Sequence, residues 1–243
     1  MSPDSKPILT VSRVIKRFGG FHALDGLSFH VASGEILGLV GPNGSGKTTA
    51  INVISGLYAP DGGEVVFDGA SIGGVASHRL VHRGINRTFQ VPKPFMSLTV
   101  RENIEVALAY GRAAVTPPTM QALLDEYRLA EVADRPATDL NNAQQKMLDL
   151  TRALATRPRL LLLDELAAGL NPAELDWIAG RIKALAATGM AIIVVEHLMG
   201  FIEQITDRVI VLNAGREIFE GKLADAVREP QVIEVFLGVE HAA

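Results

Sequence analysis

The 243-residue sequence contains no cysteine, and this absence removes three kinds of chemistry at once. A disulfide framework, a thiol nucleophile and a cysteine-ligated metal are all excluded. The lack of cysteine fits a reducing cytosol without identifying a compartment. Repeats and low-complexity segments are also absent, and 48% of the residues are apolar. We therefore expect a chain with a sizeable core rather than a disordered one.

The sequence also lacks an excess of positive charge and a long apolar run. Its net charge is -4 at pH 7, which argues against nucleic acid as the main partner. No apolar run approaches the ~18 residues of a membrane-spanning helix. The first residues, Met1–Lys6, lack the apolar region of a signal peptide. We expect no membrane span, so at a membrane another polypeptide would have to hold this chain.

The most informative stretch is a glycine-rich loop, G-P-N-G-S-G-K-T at residues 41–48. An apolar run at 35–40 precedes it, and a predicted helix at 49–55 follows. Glycines let backbone N–H groups approach an anion closely, and the helix N-terminus adds its positive dipole end. Lys47 is expected to reach the β- and γ-phosphates, and the Thr48 hydroxyl to hold Mg²⁺. A chance Lys-Thr after a turn would not explain these flanks, so the pattern predicts a nucleoside triphosphate site.

The remaining pattern predicts an α/β fold with an inserted helical region. Strands that alternate with helices indicate a parallel sheet, whereas two strands before the loop indicate an antiparallel sheet beside it. Phe18 is expected in an exposed turn at 16–20. Predicted strands lie at 7–14, 27–31, 64–67, 85–90, 160–163, 190–195 and 208–212, and predicted helices at 78–83, 100–110, 119–129, 143–156 and 172–187, with a loop at 115–119 and one or two helices after 221.

Polar side chains follow three of these predicted strands. Asp164 and Glu165 end one strand, where Asp164 is expected to hold Mg²⁺ and Glu165 to polarise the attacking water. Gln90, at the end of another, can reach a metal-bound water and the γ-phosphate. His197 follows a third strand and can hydrogen-bond the γ-phosphate. Alternative interpretations are an acidic helix cap, a surface amide and a structural histidine, respectively.

The order of these features resembles that of the ATP-binding subunit of ABC transporters, over nearly the whole chain. The resemblance implies a P-loop NTPase core with a parallel sheet, an N-terminal antiparallel β subdomain and an inserted helical subdomain. It implies one domain over residues 1–243, with 1–91 and 158–243 forming the core and β subdomain and 92–157 the helical subdomain. It also implies ATP and Mg²⁺ as cofactors, with ATP sandwiched between two cassettes, the second being a copy or a homologue.

Within that resemblance each site residue acquires an expected role. Phe18 is expected to stack on adenine, Gln90 to be the glutamine of the coupling loop, Glu165 the catalytic base and His197 the switch histidine. The catalytic set is Glu165, His197, Lys47 and Gln90, and the metal set is Thr48, Gln90 and Asp164. The nucleotide-binding set is Phe18, Asn43, Gly44, Ser45, Gly46, Lys47, Thr48, Thr49, Asn141, Ala143 and Gln144.

Short stretches also resemble the ATPases of branched-chain amino-acid importers. They are 18–20, 84–90, 167–172 and the tail at 232–238. This implies transmembrane permease subunits as partners and a peripheral location at the cytoplasmic face of the membrane. The groove formed by 91–98 is expected to receive a short permease helix, or alternatively Phe95 and Leu98 simply pack the insert. A nearby basic cluster of Arg79, Arg83 and Arg87 is expected on a solvated face.

The sequence departs from the family at its signature, which is Leu-Ser-Gly-Gly-Gln, or Leu-Ser-Tyr-Gly-Gln or similar in the importer branch. Here the segment reads Leu140-Asn141-Asn142-Ala143-Gln144. Asn141 can still donate through its amide, but Ala143 places a Cβ where backbone must approach an anion. Either the change is tolerated drift, or the chain is a nucleotide-binding, dimerising subunit with weakened hydrolysis.

Smaller departures follow Glu165. Leu166 replaces a proline, which removes a rigid turn, and Asn171 replaces an aspartate that many members carry. DNA-repair and chromosome-organising relatives are excluded because the insert is too short and has no sustained heptads. Translation-factor relatives usually carry two cassettes in one chain, whereas this sequence has one.

Overall fold

The computed structural model describes residues 6–112, 116 and 118–237. These residues form ten β-strands and nine α-helices. The strands are β1 (Leu9–Phe18), β2 (Phe21–Val31), β3 (Ile36–Val40), β4 (Gly62–Phe67), β5 (Ala70–Ser71), β6 (Ile85–Arg87), β7 (Leu160–Asp164), β8 (Ala191–Val195), β9 (Arg208–Asn213) and β10 (Arg216–Gly221). The helices are α1 (Lys47–Ile54), α2 (Ser77–Arg83), α3 (Val100–Ala109), α4 (Met120–Glu126), α5 (Asn142–Ala155), α6 (Pro172–Ala187), α7 (Met199–Ile205), α8 (Leu223–Ala226) and α9 (Pro230–Leu237).

The larger sheet has six strands in the order β10-β9-β3-β8-β7-β6. The neighbours from β9 to β6 are parallel, and β10 joins β9 antiparallel. Every residue of β3, β7 and β8 is buried, as expected for aliphatic strands covered on both faces. Because parallel strands end on the same edge, the segments that follow β3, β7 and β8 lie side by side.

The smaller sheet is antiparallel, in the order β2-β1-β4-β5, which confirms the predicted sheet beside the parallel core. Its inner side chains join α1 in one hydrophobic core that includes Val11, Val14, Ile51 and Ile54. The predicted turn at 16–20 was too long. Lys16, Arg17 and Phe18 pair with β2 and only Gly19 and Gly20 form the turn, so Phe18 ends a strand.

Helices α3, α4 and α5 follow one another between β6 and β7 and share a core with α6. Met147, Leu150 and Leu154 of α5 are buried on one face, as the periodicity predicts. Helix α6 begins at Pro172, as predicted, and is capped by Asn171 and Glu174, each accepting from the backbone N–H of the other. The division into core and helical subdomains stays a prediction.

The extended segment predicted at 85–90 is shorter in the structure. Strand β6 ends at Arg87, so Gln90 lies in a loop rather than at a strand end. After Thr88 donates to the Leu162 carbonyl, the Phe89 N–H donates to the Asp149 carboxylate of α5, at 2.9 Å. The Asp149 carboxylate thus takes the place of the next backbone acceptor of the sheet, and the chain leaves the sheet after Thr88.

Three elements were not predicted, namely β5, α7 and β10. One or two helices were predicted after Gly221, and the structure has two there, α8 and α9. Part of the predicted loop at 115–119 and residue Gly238 of the tail lie outside the described residues. None of the described helices combines the length and the apolar content needed to cross a membrane.

Candidate nucleotide site

The phosphate loop connects β3 to α1, and two of its glycines are required by its geometry. At Gly41 φ is 145°, and a Cβ would lie 2.2 Å from the Leu212 carbonyl oxygen. At Gly46 φ is 109°, and a Cβ would lie 2.6 Å from the Ala23 carbonyl oxygen. Only glycine fits such close backbone approaches. The loop is therefore packed tightly against β9 and β2, which fixes its position at the sheet edge.

Lys47 is buried beneath this loop, and its ammonium donates to the carbonyls of Gly41 and Pro42 at 2.8 and 2.9 Å. Burial lowers the pKa of Lys47, and the charges of Glu165 and Asp164 oppose that shift. A cation so enclosed in the loop is available to any anion that the loop binds.

A cleft of about 470 Å³ lies over the loop and brings together most of the predicted site. Its walls come from the antiparallel sheet, the start of α1 and the segments that follow β6, β7 and β8. Predicted residues in its lining are Phe18, Asn43, Gly44, Gly46, Lys47, Thr48, Thr49, Gln90, Glu165 and His197. Ser45, also predicted, belongs to the loop but is buried and does not line the cleft.

Two phenylalanines border the cleft, of which only Phe18 was predicted. Phe18 contacts Tyr58 edge to face, with ring centroids 5.2 Å apart, and remains 45% exposed. Phe21 is 60% exposed across the two-residue turn. The spacing Phe-Gly-Gly-Phe could have revealed the second ring, because a two-residue turn places both flanking residues as a pair.

Glu165 is the centre of the polar wall. Its Oε2 accepts from the Gln90 amide at 2.8 Å, and its Oε1 lies 3.1 Å from the His197 Nε2. The residue has φ 51°, a left-handed conformation that is uncommon outside glycine. These contacts bring together the carboxylate, amide and imidazole that the sequence placed after three separate strands.

Asp164 lies deeper than the sequence indicates, and its partner is Arg87. The Arg87 guanidinium donates to Asp164 Oδ2 at 3.1 Å and also to Asn52 and Ser55. Burial raises the pKa of Asp164, while Arg87 opposes that shift. The prediction of a solvated basic cluster was therefore wrong for Arg87, whose side chain is largely buried, although Arg79 and Arg83 are exposed.

Asp164 Oδ1 is buried without a hydrogen-bond partner, as is Ser45 Oγ in the phosphate loop. Asp164 does not line the cleft itself, but it directly precedes Glu165, which does, and the Thr48 hydroxyl is in the lining as well. A buried carboxylate oxygen with a free lone pair and a hydroxyl suit a hard cation such as Mg²⁺. The residues present thus fit the predicted metal, which would take few protein ligands and keep several waters.

The altered signature lies apart from this cleft. Asn141, Ala143 and Gln144 line a second cleft, of about 180 Å³, together with Tyr127, Arg128 and Trp177. The structure therefore does not bring the signature to the phosphate loop of its own chain.

The signature segment forms a capped helix start despite its changed residues. Asn141 Oδ1 accepts from the Gln144 N–H at 2.9 Å, and Gln144 Oε1 accepts from the Asn141 N–H at 3.1 Å. The cap uses the oxygen of Asn141 and leaves its amide N–H groups for another acceptor. Asn141 and Asn142, at the positive end of the α5 dipole, are exposed, as an anion site needs.

The loop after Glu165 is held by two buried charged residues that sequence reasoning missed. The Lys146 ammonium donates to the carbonyls of Glu165, Leu166 and Ala168 at 2.7, 3.1 and 2.6 Å. Glu196 Oε1 accepts from the Ala167 N–H at 2.6 Å. Burial raises the pKa of Glu196 to about 7, although the Ala167 N–H and Lys146 oppose that shift. Glu196 directly follows the apolar strand β8, which was an available signal, whereas Lys146 follows the mostly polar residues 141–145 and had none.

The sequence matches the family model described as ABC transporter over residues 24–168, from the antiparallel sheet to the loop after Glu165. The chain belongs to this family. It is similar to a high-affinity branched-chain amino acid transport ATP-binding protein, BraF, of Pseudomonas aeruginosa, with 36% identity, 96% of this chain and 99% of the relative being covered. The predicted resemblance to these ATPases is confirmed.

Solved structures of ABC cassettes confirm the predicted fold class. A nucleotide-free ATP-binding cassette from an ABC transporter superposes with a TM-score of 0.86 at 31% identity, covering 96% of this chain and all of that one. A dimeric cassette in a post-hydrolysis state, bound to ADP and Pi, gives a TM-score of 0.78 at 27% identity, covering 88% and 98%. This chain is thus an ABC-type ATPase subunit, and the activity of its family is ATP hydrolysis coupled to transport.

Proposed function

We propose that this chain powers an importer of branched-chain or related amino acids by binding and hydrolysing ATP between two cassettes. The observation that carries the proposal is the single cleft in which the phosphate loop faces Gln90, Glu165 and His197. The similarity to BraF, a branched-chain amino acid transport protein by name, supports the choice of solute class.

In this cleft the adenine would stack on Phe18, with Phe21 beside it, because both rings are partly exposed at the rim. The triphosphate would lie on the amides of 43–49, and Lys47 would exchange its loop carbonyls for phosphate oxygens. Thr48, Gln90 and Asp164 would hold Mg²⁺, which neutralises charge on the phosphates when bound.

Glu165 would act as the general base. Its carboxylate lines the same cleft as Lys47, so it can accept a proton from a water that attacks the γ-phosphate. Gln90 and His197 each contact one oxygen of the Glu165 carboxylate and would orient this carboxylate in the absence of nucleotide. Both could then turn to the γ-phosphate, which makes them the sensors of its presence.

A second cassette, either a copy or a homologue, would supply the signature that completes each site. The dimeric cassette with ADP and Pi supports this arrangement for a related protein. Each ATP would contact the phosphate loop of one chain and the Asn141, Ala143 and Gln144 segment of the other. The cap keeps the start of α5 helical, with its positive dipole end at the signature, so hydrolysis is expected to survive the changed sequence.

The permease would bind beside Gln90, which would place the chain peripherally at the cytoplasmic face of the membrane. Val91, Phe95 and Met96 are 70%, 47% and 45% exposed there. The backbone beneath them is fixed, because Asn103 exchanges hydrogen bonds with the Phe95 N–H and C=O. A rigid, exposed apolar surface of this kind suits a short amphipathic helix.

The test is leucine, isoleucine and valine uptake into vesicles that contain the permease subunits and this chain. We expect ATP-dependent uptake that Glu165→Gln abolishes and that Glu203→Gln, on the exposed face of α7, leaves unchanged. Uptake of none of these amino acids, with ATP hydrolysis intact, would contradict the solute class. Separately, Met96→Asp should weaken permease binding without changing ATP binding.

A second candidate function is a nucleotide-binding, dimerising subunit with weakened hydrolysis. Ala143 favours it, because it stands where the family has glycine. In a pair with a homologue of intact signature, ATP on Lys47 would turn over normally, while ATP on the homologue would meet Asn141–Gln144 and be held longer. Equal turnover at both composite sites of a reconstituted heterodimer would exclude this function.

A further inference from the structure

Lys146 is a lysine that is buried in the interior rather than exposed on the surface. It belongs to the second turn of α5 and is only 5% exposed, with Met147 and Leu150 buried close to it on the same helix. Its ammonium nevertheless has all three of its hydrogens engaged, each by a backbone carbonyl of the same short loop. A buried cation satisfied in this way is fixed in position, because any shift would leave a charge without partners.

The three carbonyls that accept from Lys146 all belong to the loop that begins at Glu165. The first is the carbonyl of Glu165, whose own N–H donates to Val195 of β8 at 2.9 Å. The other two belong to Leu166 and Ala168, and between them the Ala167 N–H donates to Glu196. The backbone around the proposed base is therefore held from α5 on one side and from the end of β8 on the other.

Glu165 needs such restraint because its backbone is left-handed, at φ 51°. A non-glycine residue keeps this conformation only where the surroundings over-determine it. The sequence offers no help from proline, since Leu166 follows Glu165. The hydrogen bond from Lys146 to the Glu165 carbonyl is thus one of the two that fix the peptide groups on either side of this residue.

We propose that Lys146 is a positioning residue for hydrolysis, which holds the loop 165–168 so that the Glu165 carboxylate points into the nucleotide cleft. It touches neither nucleotide nor water and acts only through the backbone of this loop. The same helix begins at the signature, so Lys146 also ties the loop to the position of α5. The inference rests on the proposed role of Glu165 as base.

The experiment compares Lys146→Met, which keeps the length of the stem and removes the three donors, with Lys146→Arg, which restores donors. Lys183→Met, on the exposed face of α6, is the matched control. Three quantities are measured on the full chain, namely hydrogen exchange of the 165–170 amides, the Kd for ATP, and the kcat of hydrolysis.

For Lys146→Met we expect at least tenfold faster exchange in 165–170 without nucleotide, a Kd within twofold of wild type, and a tenfold or larger fall in kcat. Lys146→Arg should recover part of both the protection and kcat, and Lys183→Met should change neither. A variant destabilised as a whole would instead show faster exchange in β3 and α1 as well. In that case the milder Lys146→Gln is measured in its place.

Unchanged exchange in 165–170 would overturn the inference whatever the activity, and so would faster exchange with an unchanged kcat. A parallel change in Kd and kcat would also overturn it, since it would indicate damage to the nucleotide cleft itself. If the wild type fails to hydrolyse ATP, the proposed function fails, while hydrogen exchange still decides whether Lys146 holds the loop.

Discussion

The nucleotide cleft and the signature cleft are built by different means. The first collects side chains from the ends of β3, β7 and β8, and each is held by other side chains or by the sheet. The second depends on the start of a single helix, α5, whose first residues cap themselves. Chemistry in the first cleft therefore rests on residue identity, whereas in the second it rests mainly on backbone amides.

This difference explains why the sequence could change in one cleft and not in the other. Replacing serine by Asn141 keeps a capping oxygen, so the amides of α5 keep their direction. No comparable substitute exists for Lys47, whose ammonium is enclosed by the phosphate loop. Variation in the signature is thus compatible with a working first cleft, and the following variants test that separation.

The largest effect is expected from Lys47→Ala. Removing a buried cation that pairs with phosphate costs about 4 kcal/mol, which corresponds to roughly 1,000-fold weaker ATP binding. Titration calorimetry with ATP and Mg²⁺ measures it, and Lys183→Ala, on the surface of α6, is the control. If Lys47→Ala bound ATP as tightly as wild type, the proposed difference between the two clefts would be wrong, because ATP binding in the nucleotide cleft would not depend on side-chain identity.

The next effect is expected from Glu165→Gln, which keeps the shape of the side chain and removes the base. We expect kcat to fall by about 100-fold or more, with the Kd for ATP nearly unchanged. Because ATP would remain bound between two chains, light scattering should show a longer-lived dimer. A fall in ATP affinity with kcat unchanged would assign Glu165 to binding rather than to catalysis.

The smallest effect concerns Glu196, which lies under the loop between the two clefts. Its pKa is raised in the folded chain, to about 7, so its favourable contribution is complete below the unfolded pKa and is lost as pH rises through 7. The groups facing it are Lys146, Glu165 and the amides of Ala167 and His197.

Glu196→Gln keeps the acceptor for Ala167 and cannot ionise. We therefore expect the melting temperature of the variant, relative to wild type, to rise by several degrees between pH 5 and pH 8. Differential scanning fluorimetry across this range measures it, and Glu203→Gln is the exposed control. A difference that is constant with pH would show that Glu196 does not titrate on folding.

The sequence allowed most of the fold to be predicted because the informative elements are locally determined. The continuous aliphatic runs of β3, β7 and β8 are typical of strands in a parallel sheet that is covered on both faces. The start of helix α6 is marked in the sequence by its first-turn proline and its capping residue. The phosphate loop was predictable for the same reason, since its glycines are required where they stand.

What could not be predicted depends on contacts between distant residues. Arg87 resembles its solvated neighbours in sequence and is buried only because Asp164 and Asn52 lie beside it in space. The end of β6 is set by Asp149, which is 60 residues away from Phe89 in the chain. Lys146 and Glu196 are further examples, because their partners are backbone groups that no side-chain pattern reveals.

The most direct test of the account is the steady-state ATPase rate of the purified chain, with Lys47→Ala as background and Ala143→Gly beside it. Ala173→Gly is the matched control, because Ala173 and Ala143 are each the second residue of an asparagine-capped helix. We expect a wild-type rate clearly above background that changes less than about threefold in Ala143→Gly, because backbone amides rather than side chains would bind the phosphate at the signature. A wild-type rate at background that rises in Ala143→Gly but not in Ala173→Gly would contradict the account.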